Sequence, residues 1–164
     1  MSLNISGAEI LVDDLKKRVL EIVAKATVLK NKYVDDKDAP VNYACIFSQS
    51  KEEYDSLVLT TLKIGKIKKE TPTGLLFQIE PLMTVSGALL LLKIRLPDET
   101  RCELGDADFT ISNYSNFKKK YLAKGEFKLI KREEFEMIEL RVDGYDVRAY
   151  FSNPPLDEQL GLKK

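Results

Sequence analysis

The sequence predicts an α+β fold: a long N-terminal helix followed by a strand–helix–strand–strand order that occurs twice. Three observations predict it. An apolar stripe at helical spacing runs from Ala8 to Tyr33, the period changes to that of strands at Val41, and from Asp106 the order of the first part begins again. With 164 residues the chain is about one domain in size, long enough for a core that needs no metal or disulfide staple.

The helix comes first. Ala8, Val12, Leu15, Val19, Ile22, Ala26, Leu29 and Tyr33 recur at alternating steps of four and three, and Leu11, Leu20 and Val23 widen the stripe beyond a narrow coiled-coil seam. Such a face has two uses, packing on the chain's own sheet or pairing with a second copy. The charged segment 34–40, ending in Pro40, breaks the pattern and reads as a linker.

From Val41 to Ser48 the residues are strand formers. Ser50-Lys51-Glu52-Glu53 is a capping box for a helix that buries Tyr54, Leu57, Val58 and Leu62, with Gly65 placed to end it. Strands follow at 66–70 and 75–80, joined by the turn Thr71-Pro72-Thr73-Gly74, and a third at Ala88–Leu96 after Pro81 and a Ser86-Gly87 break. In the second part, 106–112 alternates as a strand and 115–124 is a short helix closed by Gly125. Strands at 126–131 and 135–142 come next, then the Asp143-Gly144 hairpin turn and a returning strand at 146–152. Local matches support a repeat: Ser48-Gln49 with Ser112-Asn113, and Gly65-Lys66-Ile67-Lys68 with Gly125-Glu126-Phe127-Lys128. The expected partition is 1–40 helix and linker, 41–152 paired modules (41–98 and 106–152), and 153–164 tail.

Composition narrows the chemistry. Basic and acidic residues balance at 26 each, against the basic excess of a dedicated nucleic-acid binder. There is no histidine, so neither a Ser-His-Asp nor a Cys-His mechanism can be assembled from this chain, and the commonest zinc ligand is missing. Cys45 and Cys102 have no metal-ligand spacing and no disulfide framework around them. With polar first residues and no signal peptide, they point to a reducing, cytoplasmic setting. No apolar run nears the ~20 residues that span a bilayer, so no membrane partner is expected. No Gly-rich phosphate loop is present, and the lysine clusters at 63–69 and 118–120 read as solvated faces.

Strand, helix and three strands, twice in tandem, resembles the vicinal oxygen chelate superfamily of glyoxalase I, extradiol dioxygenases and bleomycin-resistance proteins. Arg141-Val142-Asp143-Gly144-Tyr145-Asp146-Val147-Arg148 is similar to its last hairpin. The resemblance covers 41–152 and leaves the N-terminal helix outside. It implies an open, cupped mixed sheet with helices outside and a ligand or metal cleft inside. Metal-using members carry His or Glu on the first and last strands of each module. The corresponding positions here are Asn42 and Asp106 on first strands and Arg148 near the final glutamate's place, with Lys93 and Arg95 on the first module's fourth strand. Cations in those places repel a metal ion, so no metal and no cofactor is expected. The rival fold, a ferredoxin-like sandwich, needs only two strands after the first helix, so Ala88–Leu96 discriminates between the two.

Alternation locates a candidate site independently. Asp106, Asp108, Thr110 and Ser112 face one way and Ala107, Phe109 and Ile111 the other; Asp146, Arg148 and Tyr150 oppose Val147, Ala149 and Phe151. The polar face is either solvent or, in a cupped sheet, a cleft. In a cleft, Arg148 and Arg95 would hold a carboxylate or phosphate, with Asp106 and Thr110 beside them, Asp108 as the acid/base candidate and Tyr150 as a donor. Cys45, in a buried strand, reads as inert packing. Two functions follow. One is a glyoxalase-like protein, binding protein or non-metal enzyme, for a small anionic molecule; the other is an interaction module that forms a homodimer through the N-terminal helix and has no activity.

Overall fold

The computed structural model describes residues 10–162; Ala8, at the start of the predicted stripe, lies outside them. Helix α1 spans Val12–Tyr33, with Asp13 and Asp14 in its first turn and Lys30 and Lys32 in its last, the charge order that suits the helix dipole. The first module follows: β1 (Val41–Phe47), α2 (Lys51–Thr61), β2 (Gly65–Thr71), β3 (Gly74–Thr84) and β4 (Gly87–Arg95). The second is β5 (Gly105–Phe109), α3 (Tyr114–Tyr121), β6 (Phe127–Lys131), β7 (Glu136–Leu140) and β8 (Val147–Asn153), and a short α4 (Leu156–Gln159) comes after.

All eight strands form one sheet in the order β2-β3-β4-β1-β5-β8-β7-β6. Each half is built alike: the first strand runs parallel to the last, and the two middle strands extend outward as an antiparallel meander. The halves join where β1 pairs antiparallel with β5. Ala88–Leu96 supplies β4, between β3 and β1, so the architecture is the paired-module one and not the ferredoxin-like alternative.

One sheet face carries the core. Ala44, Ile46, Leu92, Ile94, Ala107, Phe109, Ala149 and Phe151 alternate inward along the four central strands. Leu15, Val19, Ile22, Val23, Ala26 and Leu29 of α1 are buried with them, and α1 lies over β1, β5 and β8. The helical stripe is thus used on the chain's own sheet. Leu11 stands outside it at 60% exposure, against the expectation that it widens the apolar face. At the second module, Phe117 of α3 sits 4.6 Å from the Phe151 ring and 4.8 Å from Tyr121. Gly105 lets α1 and β1 come this close: a Cβ there would lie 2.0 Å from the Cys45 carbonyl oxygen and 2.9 Å from Ile22 Cδ1.

Lys30 closes the helix end. Its side chain is fully buried, yet its ammonium donates to Asn31 Oδ1 at 2.7 Å and to the carbonyls of Asp36 (2.7 Å) and Lys37 (3.3 Å), folding the linker under α1. Other local expectations are adjusted. Ser50 caps α2 as predicted, accepting from Glu53 N at 3.1 Å, but the Glu53 carboxylate reaches Gln49 N rather than Ser50 N. Leu62 is exposed, and Gly65 opens β2 instead of ending α2, because the helix closes through hydrogen bonds from Leu62, Lys63 and Ile64 to the preceding turn. Pro81 does not end β3: the register with β4 shifts between Gln78 and Leu82, and the irregularity absorbs the missing N–H. Among the described residues no helix is long and apolar enough to cross a membrane.

Candidate functional site

The other face of the sheet is polar and largely buried. Strand register sets its rows. Lys93, Cys45 and Asp106 lie side by side across β4, β1 and β5, and Arg148 continues the row on β8. Tyr43, Asp108 and Tyr150 form the next row, with Glu139 beyond them on β7. The predicted alternation therefore holds within β5 and β8, where Asp106, Asp108, Arg148 and Tyr150 share a face. Asp146, before β8, instead pairs with Lys25 of α1 at 2.8 Å, and Ser112 is exposed in a turn past β5.

A cavity of about 450 Å³ opens on this face. Both halves build it. The β2–β3 hairpin brings Lys69, Glu70 and Thr71–Thr73, the β6–β7 hairpin brings Ile130, Arg132 and Phe135, and α4 adds Leu156 and Gln159. Lys93 and Arg95 reach in from β4, Asp106 from β5 and Arg101 from the loop between the modules. Tyr43, Tyr150 and Ser152 supply hydroxyls, while Leu76, Ile130, Phe135, Met137 and Leu156 make an apolar flank. Five basic side chains thus meet two acidic ones, a local cationic excess that the net charge of zero conceals.

Two groups in this cavity stand out. Arg95 Nε and Asp106 Oδ1 are buried and have no hydrogen-bond partner among the protein's own groups, an arrangement that costs free energy unless something else completes it. Burial pushes Asp106 up to about 7; Arg101, Lys93 and Arg95 restrain the rise and Asp108 adds to it. Burial also lowers Lys93, whose ammonium donates to Thr73 Oγ1 at 2.5 Å. Arg95 and Arg101 reach Asp98 only loosely, at 3.7 and 3.8 Å. Burial drives the Cys45 thiol far above its ordinary range, in line with inert packing.

The predicted site residues separate into two groups. Arg95, Asp106 and Tyr150 line the cavity. Asp108, Thr110 and Arg148 do not line it. Asp108 is fully buried; its carboxylate accepts from Ser152 N (3.1 Å), from Ser152 Oγ and from Asn42 Nδ2 (2.9 Å). Burial raises it to about 6 against those hydrogen bonds. Three hydrogen bonds thus hold the Asp108 carboxylate, the acid/base candidate of the sequence, in a structural position outside the cavity. Thr110 lies past the end of β5 and accepts from the same Asn42 amide at 3.1 Å.

Arg148 is corrected as an anion holder. It donates to both oxygens of Glu103 (2.7 and 3.1 Å), to Glu139 Oε2 (3.3 Å) and to the Thr100 carbonyl (3.1 Å). Tyr150 completes the cluster, its hydroxyl donating to Glu139 at 2.6 Å and accepting from Arg101 at 3.3 Å. Burial disfavours the Glu103 carboxylate, but hydrogen bonds led by Arg148 outweigh it and hold the group below its ordinary range. Arg148 borders a second, more open hollow with Lys128, Lys131 and Arg141, yet its guanidinium is already committed.

Sequence reasoning missed Tyr43, Lys69, Arg101 and Arg132 as lining groups. Carrying the alternation onto β1 finds Tyr43, opposite Asp108. Arg101 sits in a loop, where no period points anywhere. A metal at the positions implied by the resemblance does not fit the residues present. The Asn42 amide is engaged, Asp106 is set among Lys93, Arg95 and Arg101, and a guanidinium fills the last place.

No family model matches the chain, and no curated protein matches it. Among solved structures it is similar to a structural-genomics protein, EC4020, at 10% identity and a TM-score of 0.70, covering 93% of this chain and 92% of that one. It is also similar, at 9% identity and a TM-score of 0.42, to a glyoxalase/bleomycin resistance protein/dioxygenase superfamily member from Vibrio splendidus 12B01, covering 70% of this chain and 97% of that one. The first likeness shows a shared fold over nearly the whole chain; the second is too distant to bear on function.

Proposed function

We propose that this protein binds a small organic anion in the cavity between its two modules, without a metal. The observation that supports the reading is Arg95: its Nε is buried and unpartnered beside Lys93 and Arg101, in a cavity with an apolar flank. A guanidinium in that state is completed by a carboxylate or phosphate, which takes two of its donors at once. The apolar flank of Leu76, Phe135, Met137 and Leu156 calls for a hydrocarbon portion. Arg148, by contrast, has its anions already.

Thermal unfolding against a panel of aliphatic carboxylates, dicarboxylates and phosphate monoesters tests this. A ligand at a hundred times its Kd stabilises by about 2.7 kcal/mol, which for a chain of this size raises Tm by roughly 5–10 °C. Arg95→Gln removes the guanidinium and should abolish the shift while the variant stays folded. A folded protein whose Tm no anion moves, or a shift that survives in Arg95→Gln, refutes the reading.

A further inference from the structure

Resting on the anion-binding reading, we infer that the cavity selects 2-oxo acids, with the carboxylate held by Arg95 and its cationic neighbours and the 2-oxygen hydrogen-bonded by Asp106. Two residues that line this cavity each carry a buried atom without a partner, and the two are of unlike chemistry: the Nε–H of Arg95 on β4 and a carboxyl oxygen of Asp106 on β5. Their strands flank β1. Asp106 and Lys93 both pair with Cys45, about two strand spacings (~10 Å) apart, with Arg95 one row further along β4. Lys93 and Arg95 of β4 and Asp106 of β5 line one volume, which Arg101 enters from the loop. A carboxylate gripped from the β4 side presents the substituent on its own α-carbon to Asp106.

Charge decides what that substituent is. Asp106 is faced by Tyr43 and Cys45 from β1, Lys93 and Arg95 from β4, and Arg101 from the loop. Arg148 and Tyr150 stand on β8, and Asp108 on its own strand. Arg101, Lys93 and Arg95 favour its ionised form, while burial and Asp108 oppose it. An arriving carboxylate neutralises those cations and adds a negative charge, so the bound state favours the neutral acid. A protonated carboxyl is a donor and needs an acceptor oxygen beside the carboxylate. A 2-oxo group is one. A methylene is not, and a 2-hydroxyl must find a further acceptor for its own hydrogen.

Calorimetry with 4-methyl-2-oxopentanoate, 2-hydroxy-4-methylpentanoate and 4-methylpentanoate, which share one skeleton, tests the inference. The oxo acid should bind about tenfold or more tighter than the unsubstituted acid. At about pH 8, titrations in buffers of different ionisation enthalpy should report uptake of about one proton per ligand. Asp106→Asn should lose the proton uptake, and Asp106→Leu the preference for the oxo acid; the former keeps the side chain's shape and decides the matter if the latter fails to fold. Equal affinity for the three acids, or proton uptake that persists in Asp106→Asn, overturns the inference and leaves anion binding standing. If no anion of any class binds, both fall together.

Discussion

Holding Asp106 in a buried, unpaired state should destabilise the fold in a way that pH reveals. The carboxyl titrates at about 7 in the folded protein against 3.8 for the free group. Because the folded value is the higher one, the unfolded chain ionises first as pH rises. Stability is therefore unaffected below about pH 4, falls through the window from about 4 to about 7, and levels off above about 8. Each pKa unit corresponds to about 1.4 kcal/mol, so at pH 8 the penalty is roughly 4 kcal/mol. Asp106→Asn keeps the size and removes the charge, but leaves an amide where the carboxyl was, also without partners, at a cost of about 1–3 kcal/mol.

Urea denaturation at several values between pH 4 and 9 gives the comparison. The variant should fall about 1–3 kcal/mol below the natural protein at the acid end and exceed it by about 1–3 kcal/mol at the alkaline end, a swing of roughly 4 kcal/mol between them. The natural protein keeps a second slope from Asp108, raised to about 6, and the difference between the two proteins removes it. Parallel pH profiles would refute the reasoning, because they would mean that Asp106 ionises as readily in the fold as outside it. A stabilising substitution at a lining residue is what a site built for a ligand, at the expense of the fold, should show.

Two further substitutions probe the frame around the cavity. Arg148→Met leaves Glu103 and Glu139 buried without their guanidinium and should cost about 3–5 kcal/mol near neutral pH by chemical denaturation. Glu103 titrates below its ordinary value, so its contribution is present above about 4.5 and lost as pH falls through the lower folded value; Arg148→Met should remove that acid limb. A cost under about 1 kcal/mol would show the cluster to be solvated rather than buried. Gly105→Ala places a methyl 2.0 Å from the Cys45 carbonyl oxygen, so β1 and β5 must part and the variant should lose about 1–3 kcal/mol or more. An unchanged Tm would show that the seam between the modules yields freely.

Much of the fold was legible because its periods are long and unbroken. The α1 stripe has a four-three rhythm over most of its length, and β5 and β8 alternate cleanly, so the faces of their side chains follow from the pleat alone. Where the reading slipped, a neighbour overrode local chemistry. Pro81 stays inside β3 because a register shift accommodates it, and Gly65 starts a strand because a Cβ there would lie 2.3 Å from the Gln78 carbonyl oxygen. The site was half legible. Alternation put Arg95, Asp106 and Tyr150 on the right face, but it could not say which polar groups were already paired. Glu103 occupies Arg148 from 45 residues away, and Ser152 occupies Asp108 from 44 away; no local pattern encodes such contacts.

That pairing is also what makes the two modules unequal. On the polar face the first module contributes Lys93 and Arg95, while the second contributes Asp106, Asp108, Glu139 and Arg148. The second module answers its own charges: Ser152 and Asn42 hold Asp108, and Arg148 takes Glu103 and Glu139. What remains in the cavity is a surplus of cations, Lys69, Lys93 and Arg95 from the first module, Arg101 from the loop and Arg132 from the second, against Glu70 and the buried carboxyl of Asp106 at the seam. Had the modules kept equal charges at equivalent positions, the face would be neutral row by row and an anion would gain little by entering. On the proposed anion-binding reading, the divergence of the halves, hidden by a net charge of zero, sets both the sign of the ligand and the strand from which it is read.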